Sequence, residues 1–233
     1  LCVAGVSCVY GPVTGRKVLG IFLGALVILS QYVDALWTMA ALCLSFVAIG
    51  LLFLFEFGCG KKEARLGHYS PILHGLLYIP LALQLALYLS PPEQCLVLLA
   101  AIASDTGGYY AGSLFGRKKL WPSVSPKKTW AGFYGGMILC VAVCMAMGSL
   151  AWVFEWRMLL LPFWGWLLIG LVLHQAALLG DLFESAIKRT LNVKDSGSIL
   201  PGHGGALDRI DSLLFVLPAY TALRLVVRII QGS

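Results

Sequence analysis

Charge is scarce in this sequence. Only 12% of the 233 residues are charged, about half the share of an ordinary soluble domain. Hydrophobic residues make up 59%, and the mean hydropathy is +0.86. Such a balance excludes a conventional soluble globule, because the surplus apolar surface needs lipid to face. Acidic residues number only 11, so the places where they gather carry information. The seven cysteines are an odd number and form no CxxC pair, which speaks against both a zinc site and a disulfide framework. Cys43, Cys95, Cys140 and Cys144 fall in apolar runs, where a thiol behaves as a small hydrophobe. No internal repeat, soluble stretch or low-complexity linker interrupts the chain, so one membrane domain over 1–233 is the expectation. The apolar run Leu1 to Tyr10, closed by Gly11-Pro12, is too short to span. It lacks the basic start and small-residue end of a signal peptide, and it reads as a trimmed first helix or a re-entrant stub.

What is present is a series of apolar stretches of spanning length. The expected fold is all-α, a polytopic bundle of about seven spans plus that stub, with spans at 18–33, 35–57, 70–90, 93–115, 130–154, 159–180 and 206–230. The first of these is short. Counting alternate loops, one side carries Arg16, Lys17, Lys61, Lys62, Arg65, Arg117, Lys118, Lys119, Lys127, Lys128, Lys188, Arg189, Lys194 and Arg209. The turns on the other side, at Asp34, Ser90 to Glu93 and Glu155 to Arg157, carry one basic residue, Arg157. By the positive-inside rule the basic side is cytoplasmic, which puts polar segments 116–129 and 181–211 there, in an inner-membrane, multi-pass protein. Trp121, Trp130, Trp152, Trp156 and Trp164 lie near span ends, as interfacial aromatics do. The net charge of +6 then belongs to loops against anionic headgroups, and no nucleic-acid partner is expected.

Chemistry concentrates late in the chain. On a helix, Asp181, Ser185 and Lys188 are spaced i, i+4 and i+7 and share one stripe, with Glu184 and Arg189 to either side. Taken alone this could be a solvated amphipathic helix. It is followed, however, by Lys194-Asp195 and the turn-rich Ser196-Gly-Ser-Ile-Leu-Pro-Gly-His-Gly-Gly205, whose glycines let backbone N–H groups approach an anion. Then comes Asp208-Arg209-Ile210-Asp211. Placed at i and i+3 on one helical face, Asp208 and Asp211 can reach one cation or a pair of cations. Carboxylates at the start of a span are costly unless paired or metal-bound, and hard oxygen ligands beside phosphate-binding cations favour magnesium. His203 in its Gly-rich turn reads more readily as a hydrogen-bonding residue than as a ligand.

A second constellation lies upstream. Asp105 falls inside an expected span, which marks a functional-site candidate. Gly108, Gly112 and Gly116 recur every four positions, a pattern of close helix packing. In Ser125-Pro126-Lys127-Lys128-Thr129-Trp130, Ser at N-cap and Pro at N1 predict a helix start whose N–H groups and two lysines suit phosphate. The alternative is a plain topological stop of basic residues.

Together these segments resemble the CDP-diacylglycerol synthases (phosphatidate cytidylyltransferases). The resemblance is carried by Ser185-Ala-Ile-Lys188-Arg189, Lys194-Asp195, His203-Gly204-Gly205 and Asp208-Arg209-Ile210-Asp211, and further by Ser104-Asp105-Thr106-Gly107 and Ser125 to Trp130. At motif level it covers about Ser104 to Asp211. One departure is Ala131, where many members carry Glu. The resemblance implies a reaction of CTP with phosphatidic acid in the bilayer, giving CDP-diacylglycerol and pyrophosphate, with magnesium, a second cation being compatible, and a homodimeric assembly. It implies Asp181, Asp208 and Asp211 as metal ligands, and Asp105, Lys188, Asp208 and Asp211 as catalytic residues. Lys127, Lys128, Ser185, Lys188, Arg189, His203, Gly204, Gly205 and Arg209 would bind substrate. The rival expectations are a CTP-dependent polyprenol or phytol kinase, an archaeal-type lipid cytidylyltransferase, and an ion-coupled transporter relaying through Asp105 and Asp181. The absence of a repeat and the crowding of charge on one face argue against the transporter.

Overall fold

The computed structural model describes residues 14–30, 33, 35–58, 70–154, 156, 161–190 and 207–231. Seven helices occur among them: α1 (Thr14–Ser30), α2 (Ala35–Gly58), α3 (Ser70–Leu87), α4 (Pro91–Phe115), α5 (Trp130–Val153), α6 (Phe163–Thr190) and α7 (Asp211–Gln231). A two-stranded antiparallel hairpin, β1 (Lys119–Trp121) and β2 (Ser125–Thr129), joins α4 to α5, and a 3₁₀ turn, Leu207–Arg209, precedes α7. The apolar stub of residues 1–10 lies outside the described residues.

Internal packing divides the chain into two compact units. The first holds Leu1–Gln84 with Asp195–Leu207. Within it α1 packs on α2 through Leu23, Val27, Ala41 and Ile49, all buried. The polar side chains of these helices turn back on their own backbone: Ser30 Oγ donates to the Val27 carbonyl and Ser45 Oγ to that of Ala41, each at 2.7 Å. A hydroxyl satisfied locally in this way can be carried in an apolar helix.

The second unit holds Leu85–Lys194 with Asp208–Ser233. Here α5 packs between α4 and α6, α6 packs on α7, and α4 also touches α6 and α7. Glycine makes the α4–α5 contact close. A Cβ at Gly107 would stand 2.6 Å from the Gly135 carbonyl oxygen, and one at Gly132 would stand 2.7 Å from that of Gly108. The four-residue glycine spacing of α4 therefore does what its pattern predicts, letting two backbones meet. At the other end of α4, buried Glu93 accepts from the Ser90 N–H and hydroxyl, both at 2.8 Å. It also takes Tyr220 OH and Arg224 Nε from α7, so one carboxylate caps α4 and clamps α7 to it.

One expectation is met in part and two are corrected. Of the seven helices, four contain a stretch long and apolar enough to cross a membrane: Trp37–Leu54, Trp130–Val153, Phe163–Thr190 and Asp211–Ile230. The chain is an integral membrane protein, mostly helical, and among the described residues four of the expected seven spans meet that measure. In α4, Glu93 and the polar run Ser104-Asp105-Thr106-Gly107-Gly108 dilute the apolar character. Second, Ser125 and Pro126 do not begin a helix. They lie in β2, paired with β1 in the register Lys119↔Thr129 and Trp121↔Ser125, and Thr129 is the N-cap, accepting from the Gly132 N–H at 3.1 Å. Third, the helix of Asp181 is no separate surface element. The Phe163–Thr190 helix runs unbroken through Gly180, because hydropathy falls at Asp181 while nothing breaks the i→i−4 ladder.

Candidate active site

The functional side chains converge because three chain segments are brought together by small residues. Gly180, one position before Asp181, faces the start of α7: a Cβ there would stand 2.5 Å from the Asp211 carbonyl oxygen. That approach sets Asp211 and Ser212 beside Asp181. The α4–α5 glycine seam brings Asp105 and the hairpin to the same place. Gly112 and Gly116 leave room for Thr129, whose Oγ would lie 3.1 Å and 2.8 Å from a Cβ at those positions. Thr129 in turn holds Lys127 and Lys128 at the mouth of α5.

These segments enclose a cavity of about 350 Å³, at the small end of the roughly 300–1,000 Å³ range of ligand clefts. Its polar wall comprises Asp105 from α4, Lys127 and Lys128 from β2, and Asp181 and His174 from α6. Lys128 Nζ pairs with Asp181 Oδ2 at 2.5 Å. Asp105 accepts from Ser212 Oγ at 3.0 Å, and Asp211 Oδ1 accepts from the Ser212 N–H at 2.7 Å. Asp105, Asp181 and Asp211 repel one another across this space. Ser185 Oγ stands 3.4 Å from Asp181 Oδ1, one turn along the predicted stripe.

Beside this group lies a second one. Lys188 Nζ donates to Glu184 Oε2 at 2.6 Å and to Asp208 Oδ1 at 2.8 Å. Glu184 is buried, and it reaches toward both Asp208 and Asp211. The expectation that Asp208 and Asp211 share one helical face is corrected here. Asp208 belongs to the 3₁₀ turn and Asp211 opens α7, so the first faces Lys188 while the second faces Ser212 and Asp181. The expected phosphate-binding helix start at Ser125 is also absent, and at the true start Trp130 N–H and Gly132 N–H already have partners, the Lys118 carbonyl and Thr129. Arg189 and Arg209 are exposed. His203, Gly204 and Gly205, with Lys194 and Asp195, lie outside the described residues.

A hard cation fits the chemistry of these donors. Five carboxylates (Asp105, Asp181, Glu184, Asp208 and Asp211) face two ammonium groups, Lys128 and Lys188, and the donors are all oxygen. As they stand, no three such side chains among the described residues are gathered closely enough to hold a metal ion.

Sequence reasoning passed over His174, Ser212 and the central place of Glu184. His174 had a signal: with Asp181 and Lys188 it forms a seven-residue spacing along one stripe of α6. Ser212 had none beyond its place next to Asp211.

Comparison with known proteins gives the family. The model of the cytidylyltransferase family matches residues 9–227. The phosphatidate cytidylyltransferase of Bacillus subtilis is 47% identical over 116 residues, covering 50% of this chain and 41% of the relative. That of Staphylococcus epidermidis is 48% identical over 120 residues, 52% of this chain and 44% of the relative. That of Staphylococcus saprophyticus is 39% identical over 191 residues, 79% of this chain and 58% of the relative. The chain spans about half the length of the curated relatives it matches. With nearly its whole length matched and its charged groups gathered on one cavity, the chain belongs to the cytidylyltransferase family.

Proposed function

We propose that this protein makes CDP-diacylglycerol and pyrophosphate from CTP and phosphatidic acid. The observation that carries the reading is the cavity itself, in which Lys127 and Lys128 face Asp105 and Asp181 beside long apolar helices. The activity for which its relatives are named supports it. The choice of CTP rests on that likeness.

A phosphatidate oxygen attacks the α-phosphorus of CTP, and the bond from that phosphorus to the bridging oxygen of the β-phosphate breaks. The lipid phosphate is already an anion, so no general base is required. The difficulty is repulsion between two polyanions and the charge left on pyrophosphate, which positioned cations relieve. Lys127, exposed on β2, is free to meet the nucleotide first. Lys128 and Lys188, now on carboxylates, exchange those partners for phosphate oxygens. Ser185, Arg189 and Arg209 complete the substrate contacts within the described residues. Asp181, Asp208 and Asp211 would hold magnesium, with Asp105 adjoining, and the ion would neutralise triphosphate and orient the leaving group. Removing magnesium with a chelator is expected to abolish turnover. The site faces the cytoplasm from an inner membrane, and a homodimer is the expected assembly.

Purified full chain, phosphatidate vesicles and each of the four nucleoside triphosphates test the reading. The expected products are CDP-lipid and pyrophosphate, with CTP preferred. Phosphorylated lipid with CDP would instead identify a CTP-dependent kinase, and absence of any transfer would refute both.

A further inference from the structure

His174 is 2% exposed, and its ring lines the inner part of the cavity. Its Nδ1 lies 2.9 Å from Ser104 Oγ, the Phe133 backbone lies close enough to act on the ring, and Nε2 is buried with no direct hydrogen bond among the described residues. A buried polar atom left unpaired costs about 1–3 kcal/mol, so the position calls for an explanation. Packing holds the ring firmly. Phe133 meets it edge-on with centroids 5.1 Å apart, and Gly136 clears its other side, where a Cβ would stand 2.9 Å from Cε1. In a neutral imidazole one nitrogen accepts and the other donates. In the tautomer in which Ser104 Oγ–H donates to Nδ1, the proton sits on Nε2, the nitrogen left with no direct partner.

We propose that His174 Nε2–H is a specificity-determining donor to an acyl-ester carbonyl of the lipid substrate. This rests on the reading of function above. His174 precedes Asp181 by seven residues on one stripe of α6, roughly 10 Å toward the middle of the helix. A lipid phosphate held at Lys127 and Lys128 has its glycerol esters next in line toward the acyl chains, where the wall turns apolar through Phe133 and Leu178. The cytosine ring carries several edge donors and acceptors and would leave most of them unpaired there. An ester carbonyl asks for one donor, which is what the wall provides. Ser104 acts through the ring as a positioning residue, fixing its tautomer.

The test compares diacyl phosphatidate with its dialkyl ether analogue, identical except for the two carbonyls, by kcat/KM for CDP-lipid formation in mixed micelles. Wild type is expected to favour the diester by roughly tenfold, the worth of one hydrogen bond. His174→Phe should bring that ratio near one through KM for the lipid, with KM for CTP holding. His174→Gln, which keeps an amide donor, should recover part of the preference. Should His174→Phe fail to fold, Ser104→Ala serves in its place and is expected to lower the ratio. A wild-type ratio of one, an unchanged ratio in a folded variant, or a shift in KM for CTP instead would overturn the inference. If wild type makes no CDP-lipid from either substrate, the proposed function itself fails, a result distinct from lost selectivity.

Discussion

Lys188 shows how a residue can serve two ends. Its ammonium is shared by Glu184, which is buried, and by Asp208. Removing it strands a buried carboxylate, which is costlier than never having had the pair. Lys188→Ala is therefore expected to lower thermal stability in detergent by about 3 kcal/mol, besides impairing turnover. Glu184→Gln with Lys188→Met should recover most of that loss by removing the stranded charge. A Lys188→Ala protein as stable as wild type would mean that the ion pair carries no structural weight. Arg189, one position on and exposed, is not expected to share this penalty.

At the scale of elements, the α4–α5 seam sets where Asp105 and the hairpin meet. A Cβ at Gly135 would stand 2.2 Å from the Ala111 Cβ and 2.9 Å from the Gly107 carbonyl oxygen, whereas one at Gly50 meets nothing within 4 Å. Gly135→Ala should thus cost about 1–3 kcal/mol by overpacking, while Gly50→Ala should be neutral or stabilising by up to ~1 kcal/mol through helix propensity. Equal melting temperatures for the two variants would contradict the seam as described. Elements were also where sequence reading succeeded and failed most clearly. Apolar stretches of spanning length placed the helix ends within about five residues of those observed, as for 35–57 against Ala35–Gly58, except the C-terminal end of α6. The hairpin stayed hidden because Ser125-Pro126 carries a local helix-start signal, whereas the β1 pairing that overrides it is non-local. For α6, loss of hydropathy at Asp181 suggests a boundary, yet hydropathy marks where lipid ends and not where a helix does.

For the whole molecule, the basic side of the chain and the cavity coincide in the hairpin. With native cysteines replaced, Ser123→Cys at the exposed hairpin turn should react with an impermeant maleimide only in inside-out vesicles. Labelling in right-side-out vesicles would reverse the topology and with it the access of CTP. The charged residues of the site were legible from their types and spacings, since carboxylates in a lipid-facing chain demand partners. Their partners were not. Lys128 on Asp181, Ser104 on His174 and Ser212 on Asp105 join distant segments, and only close helix packing at Gly180 and along α4 creates those contacts.

The central claim is that the cavity bearing Lys128 and Asp181 is where the two phosphates react. Magnesium-dependent pyrophosphate release from CTP and phosphatidate by folded Asp181→Asn measures it most directly. The account predicts a fall of roughly 100-fold or more with the melting temperature near that of wild type. Wild-type turnover in this variant would contradict it.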